Sequence, residues 1–259
     1  MKKVQNQDIN YRTLSKNEAY ILDQLKSEDL ITFGVDEIKV LSDWKKSRIH
    51  NTISSLEKKG HIVRIKRNTY SLEYNFLNNT FEVITDAVKP SYISLWTALS
   101  YYGFTDQQVN MIQLVSTKQY KDLTIRDKNV EISTLKPKRF FGYIEQEGII
   151  IANKEKSLVD SLFMLDKCGG FDEYIKCLKN AYDELDKNRL KRYLIKFDNK
   201  SLISRMGFIL DILDLADNKL LKDLNKNKSQ SYVLLDPKGN SVRSHNSDWN
   251  IKVNREVGV

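Results

Sequence analysis

Residues 42–72, SDWKKSRIHNTISSLEKKGHIVRIKRNTYSL, constrain their own fold more tightly than any other part of the chain. Ile49, Ile53 and Leu56 recur at i, i+4 and i+7, which makes one apolar stripe on a helix near Lys45–Lys59. Gly60 follows where a helix stops most easily, because glycine takes the left-handed conformation without a steric penalty. Val63, Ile65, Tyr70 and Leu72 then alternate with polar residues, as two short strands around an Arg67-Asn68 turn would. Upstream, Ser15 and Glu18 have the spacing of a capping box, and Ala19, Ile21, Leu22 and Leu25 continue it as a helix over 16–25. A short second helix fits 36–41, with Ile38 and Leu41 inward, and Trp44 is placed to staple the start of the third. Three helices and then a hairpin is the order of a winged helix-turn-helix, in which the third helix enters the major groove.

Charge sharpens that expectation. The chain carries a formal net charge of +8 over 259 residues, a sign that suits a polyanionic partner. Residues 42–70 hold eight cations against Asp43 and Glu57. Lys45, Lys46, Ser47, Arg48, His50 and Asn51 fall on or near the side of the third helix away from its apolar stripe. Arginine can grip guanine O6 and N7 together, and asparagine can bridge adenine N6 and N7. Lysine and serine suit phosphate, which sets register without reading sequence. Arg64 and Lys66 alternate with Val63 and Ile65, and Arg67 stands at the hairpin tip. These nine residues are the candidate contacts to double-stranded DNA. Lys58 and Lys59 sit where cations favour a helix C-terminus for structural reasons. Asn68 is expected to take a positive φ in an ordinary turn.

Residues 73–90 read as a weakly patterned joint that ends in a proline. Pro90-Ser91 opens an expected helix, SYISLWTALSYYG, closed by Gly103, with Tyr92, Tyr101 and Tyr102 packing through their rings. Strand-like runs occupy 109–152: MIQLVS, LTIR, VEISTL, FFGYIEQ and GIIIA. From Lys154 the period is helical, and short strand-like pieces return around a turn at 237–240. The expected fold is α+β: a winged helix-turn-helix over 1–74, then a larger mixed α/β domain over 75–259, with a sub-boundary near 185.

Catalytic patterns are absent. There is no phosphate-binding glycine loop, no dinucleotide fingerprint, no nucleophile elbow and no His-Glu-x-x-His. Cys168 and Cys177 match neither a zinc nor a redox spacing and read as reduced, partly buried thiols. The three histidines are scattered. No enzyme, cofactor or metal is therefore expected. The nearest catalytic alternative, a nuclease, would rest on Glu145, Glu147 and Lys154 alone, and a third reading uses the winged helix only to bind protein. Asp160 is expected to cap or to pair. No apolar run is long enough to span a bilayer, and residues 1–14 lack the apolar core of a secretory signal, so a cytoplasmic location is expected.

Four segments carry a family resemblance: KKGHIVRIKRNTYSL, PSYISLWTALSYYGF (Pro90–Phe104), FFGY (Phe140–Tyr143) and IANKEKSLVDSL (Ile151–Leu162). In that order, behind a winged helix, they resemble the AbiEi-like antitoxins, transcriptional regulators of type IV toxin–antitoxin and abortive-infection systems. The match covers roughly residues 15–185, and the rest more loosely. The resemblance implies a repressor that binds inverted repeats in its own promoter and neutralises a nucleotidyltransferase-like toxin, with no catalytic activity. It carries over only the recognition helix and the wing. Asn68 stands where a wing glycine is usual.

Overall fold

The computed structural model describes residues 14–239 and 241–258. The tail read for a secretory signal falls almost wholly on residues 1–13, outside the described residues, as does Asn240 of the expected 237–240 turn. The fold is α+β, in two compact units. The first takes in Met1–Lys89 and Leu123–Asp127, and the second Pro90–Asp122 and Lys128–Val259.

In the first unit, α1 (Lys16–Ser27), α2 (Val35–Ser42) and α3 (Lys46–Lys58) precede an antiparallel hairpin of β1 (Ile62–Lys66) and β2 (Thr69–Leu72). The Ser15 cap is present: its hydroxyl accepts from the Glu18 amide, and Glu18 accepts the Ser15 amide at 2.6 Å. Ile49, Ile53 and Leu56 of α3 are buried with Ile21, Leu25, Phe33, Ile38 and Ile62 in one apolar cluster. Gly60 ends α3 at φ 79°. Phe33, between α1 and α2, exchanges two 2.8 Å backbone hydrogen bonds with Tyr70 of β2 and so adds a single bridging residue beside the hairpin.

The expected joint at 73–90 is two helices, α4 (Glu73–Asn78) and α5 (Thr80–Ala87). Phe76, Val83, Ile84 and Val88 are buried, α4 packs on both hairpin strands, and α5 packs on β1. The unit consequently extends to Lys89, past the expected boundary at 74. Each helix is too short to show a full apolar period, so packing decides them rather than propensity. The short strand β5 (Leu123–Ile125) also belongs to this unit, and the adjoining Arg126 pairs with Glu73 of α4.

The second unit opens on a correction. Ser91–Ile93 forms a strand, β3, and the helix expected there shortens to α6 (Leu95–Tyr101). Ser91, Tyr92 and Ile93 are all buried, which suits a central strand covered on both faces. The strands of the main sheet that lie in this unit run β6 (Lys128–Thr134), β4 (Met111–Ser116), β3, β8 (Ile149–Ala152), β7 (Tyr143–Gln146). The β4–β6 and β3–β8 pairs are parallel, and the β3–β4 and β7–β8 pairs antiparallel. A two-residue turn joins β7 to β8, with Glu147 and Gly148 both at positive φ, the geometry that matches strand twist.

Helices α7 (Lys154–Phe163), α8 (Phe171–Ala181), α9 (Lys187–Lys196), α10 (Lys200–Ile212) and α11 (Asn218–Asn225) follow. A small sheet of β10 (Ser244–Asn246), β11 (Ile251–Val253) and β9 (Val233–Leu234) completes the unit. Helix α7 is buried from Glu155 to Leu162, and so the three charged residues in that stretch, Glu155, Lys156 and Asp160, must find partners inside. Both cysteines are free and fully buried, deeper than expected, and burial pushes each thiol up to about 12.

Candidate nucleic-acid interface

Lys45 stands at the N-cap of α3 without a side-chain capping bond, and no acid occupies the first turn. Lys45, Lys46, Ser47, Arg48, His50 and Asn51 are all exposed. At about 100° per residue, they do not share one line along the helix. Ser47 and Asn51 continue through Ser54 and Lys58 as the stripe directly opposite the Ile49–Ile53–Leu56 seam, and all four are exposed. Lys46 and His50 lie on one flank. Arg48 lies on the other, with Ser55 and Lys59, facing α1.

Arg48 is held on that flank. Its guanidinium lies 3.9 Å from the centroid of the Trp44 ring, and Nη2 donates to Asn17 Oδ1 of α1 at 2.5 Å. Trp44 also sits 5.7 Å, centroid to centroid, from Tyr20 of α1. The expected staple therefore takes the form of a tryptophan wedged between α1 and the first turn of α3, with an arginine lying on it. Beneath it, Glu18 is 3% exposed and binds Lys59 Nζ at 2.6 Å and Ser55 Oγ at 2.5 Å. Burial alone would raise the Glu18 carboxyl, but the hydrogen bonds from Lys59, Ser55 and Ser15 outweigh it and bring the pKa down to about 2. Lys59 is thus a structural cation, as its place near the helix C-terminus suggested. Lys58 is not so engaged and belongs to the outward stripe, where position along the chain hid it and helical geometry reveals it.

On the hairpin, Arg64 and Arg67 are exposed and Lys66 is half-buried. A register shift between Arg64 and Lys66 marks a bulge, so these two side chains do not repeat at simple strand spacing. Asn68 takes φ 55° at the turn. Its Oδ1 accepts the amide of Val35, the first residue of α2, at 3.3 Å. The N-cap of α2 is Gly34, which has no side chain to cap it. Asn68 supplies that acceptor from across the unit, which explains an asparagine rather than a glycine at the tip.

The segments that carry the family resemblance in the second unit converge on one buried cluster. Lys156 and Asp160 of α7 form an ion pair with neither side chain exposed to solvent. Lys156 Nζ also donates to the Tyr92 hydroxyl at 2.8 Å, and Tyr92 and Ser94 donate to Asp160 Oδ2 at 3.0 and 2.9 Å. The ammonium lies 5.1–5.3 Å from the ring centroids of Tyr92, Phe141 and Phe197. At Gly142, φ 75°, an added Cβ would come within 3.1 Å of the Lys156 Cβ. Burial lowers the Lys156 pKa and raises that of Asp160, and the pairing opposes both shifts. Asp160 therefore pairs, as expected.

The residues of the nuclease alternative are placed differently. Glu145 and Glu147 stand exposed on the β7–β8 hairpin, and Lys154 binds Glu184 at 2.5 Å. Among the described residues no group of three His, Cys, Asp or Glu side chains could hold a metal ion, and no helix is long and apolar enough to cross a membrane.

No protein-family model and no curated protein matches the chain. Among solved structures it is similar to the crystal structure of the RV2827C protein from Mycobacterium tuberculosis, with a TM-score of 0.65 at 11% identity. The likeness covers 93% of this chain and 92% of that one, and what it shows is a shared fold.

Proposed function

We infer that the chain is a DNA-binding transcriptional autorepressor and antitoxin of the AbiEi-like type. In this reading the first unit is a winged helix, with α3 as the recognition helix and β1–β2 as the wing. The observation that carries it is the open start of α3. Lys45, Lys46 and Arg48 crowd the positive end of a helix dipole where no acid and no capping side chain offsets them. That arrangement costs stability in the free protein, because cations at a helix N-terminus are repelled by the dipole. It becomes favourable when an anion such as DNA phosphate docks there. Ser47 and Asn51 supply hydrogen-bonding groups beside the cations, and Arg64 and Arg67 add exposed charge on the hairpin.

The antitoxin half rests on the family resemblance, whose residues in the second unit build the Lys156–Asp160 cluster. Its expected partner is a nucleotidyltransferase-like toxin, and a neighbouring gene with a Gly-Ser…Asp-x-Asp pattern would supply the pair for a co-expression test.

Selection of duplexes from a random pool by the full chain tests the DNA reading. The enriched sequence should contain an inverted repeat. The Arg48→Ala, Asn51→Ala double variant should lose preference for it, since each good bidentate base contact is worth roughly 1–3 kcal/mol of discrimination. Arg64→Ala with Arg67→Ala should weaken every duplex and flatten the salt dependence. A doubly substituted α3 that binds the selected duplex like wild type would sink the recognition-helix assignment.

A further inference from the structure

We propose that the groove between α1 and α3 is a seat for one DNA backbone phosphate, that Arg48 is its principal ligand, and that base reading falls instead to the Ser47–Asn51–Ser54–Lys58 stripe. This rests on the DNA-binding reading above and divides the labour within it.

The groove is lined by Ser15 at the N-cap of α1, by Asn17 of α1, and by Ser47, Arg48, Asn51 and Ser55 of α3. Arg48 is not extended along the outward stripe. It is turned onto the α1 flank by two separate restraints, the Trp44 ring and the Asn17 carbonyl. A guanidinium carries five N–H donors, and the Asn17 bond uses one of them. The fork that remains is already oriented when a ligand arrives, so little side-chain entropy is lost on contact. Asn17, with its Oδ1 occupied by Arg48, has its amide N–H groups left to donate to the same oxygen acceptors.

One carboxylate, Glu18, also borders the groove. Its charge is met by Lys59, and its oxygens by Ser55 and Ser15, so it does not repel an incoming anion as an unpaired acid would. Beside that neutralised carboxylate the groove offers one oriented guanidinium together with hydroxyl and amide groups that can donate, a set that suits a phosphate contact. Ser47 and Asn51 border both the groove and the outward stripe, so the base-reading row and the phosphate seat meet along that edge.

The test uses the full chain, the duplex it enriches from a random pool, and a shuffled duplex. Single phosphates are replaced in turn by neutral methylphosphonates. For wild type, one phosphate position, recurring wherever the site recurs, should weaken binding about tenfold when neutralised, the size of a charge-assisted hydrogen bond. Arg48→Ala should weaken selected and shuffled duplexes alike by about tenfold, reduce the salt slope by about 0.9, and abolish the sensitivity at that one position. Asn17→Ala should cause a smaller loss of the same pattern. Asn51→Ala should instead bring the selected duplex close to the shuffled one and leave the phosphate sensitivity intact. Thermal melts confirm that each variant is folded. If wild type enriches no duplex, the DNA reading fails and the seat fails with it. If wild type enriches one, two outcomes overturn the seat alone: Arg48→Ala erasing sequence preference while the phosphate scan is unchanged, or Arg48→Ala leaving both duplexes bound as before.

Discussion

Asp160 follows Lys156 by one turn of α7, and the carboxylate receives the ammonium where neither side chain meets solvent. Three aromatic rings and two hydroxyls complete the enclosure. Pairs of this kind contribute little net stability when whole, because desolvation offsets the attraction, yet breaking one strands a charge. Asp160→Ala should therefore destabilise the second unit by about 3–5 kcal/mol, whereas replacing both partners by apolar residues, Lys156→Met with Asp160→Leu, should recover much of that loss. Urea melts of the single and double variants make the comparison. A single variant within about 0.5 kcal/mol of wild type would show that the pair is not closed in solution.

Glu18 gives the first unit an acid-sensitive joint. Its folded pKa, about 2, lies below the ordinary 4.5, so the unfolded chain binds its proton first as pH falls. The stabilisation from this group is complete above about 4.5 and drains away between 4.5 and about 2. Circular dichroism of the three-helix region across that window should show stability falling with pH. Glu18→Gln should be less stable at neutral pH and should flatten this part of the profile. A profile equally steep in Glu18→Gln would assign the acid sensitivity elsewhere.

Asn68 does two jobs, and glycine can do only one of them. Asn68→Ala loses the cap on Val35 and places an ordinary side chain at φ 55°, for a combined cost of about 2 kcal/mol. Asn68→Gly loses only the cap and should cost about 1 kcal/mol or less. The order alanine, glycine, wild type in rising melting temperature is the expected result, and glycine at or above wild type would remove the capping role.

Gly207 sits inside α10 with its Cα against Trp249, where an added Cβ would lie 2.0–2.4 Å from ring carbons. Helix propensity favours alanine there by about 1 kcal/mol. The ring cannot give way easily, because it is 2% exposed and its Nε1 donates to Asp211 at 2.7 Å. Overpacking of about 1–3 kcal/mol or more should win, so Gly207→Ala should lower stability and shift Trp249 fluorescence. A stabilised Gly207→Ala with unchanged emission would mean that the contact is slack.

The parts of the fold legible in the sequence were those in which local signals agree. Ser15 and Glu18, the Ile49–Ile53–Leu56 seam, Gly60 and the Arg67-Asn68 turn each declare a boundary or a face, and each stands where expected. Helices α4 and α5 and strand β3 were hidden because they are short and take their form from burial by distant residues. In the candidate interface, the exposure of Lys45 to Arg48, His50 and Asn51 could be read from the Ile49–Ile53–Leu56 seam. The tether of Arg48 could not, since Asn17 lies 31 residues earlier and carries no pattern of its own. Nor could the capping role of Asn68, which depends on a helix start 33 residues away. Periodicity reports which way a side chain faces, but the partner it meets is set by tertiary packing.

The exchange of backbone bonds between Phe33 and Tyr70 has a mechanical consequence. A strand hairpin anchored only at its base could swing, but this one is riveted halfway along to the connection ahead of α2, and its tip is pinned to the start of that helix by Asn68. A load applied at Arg67 thus passes straight into the helical body. Hairpin, inter-helix connection and second helix therefore move as one piece, and thermal motion at the tip is damped at two separate points along its length.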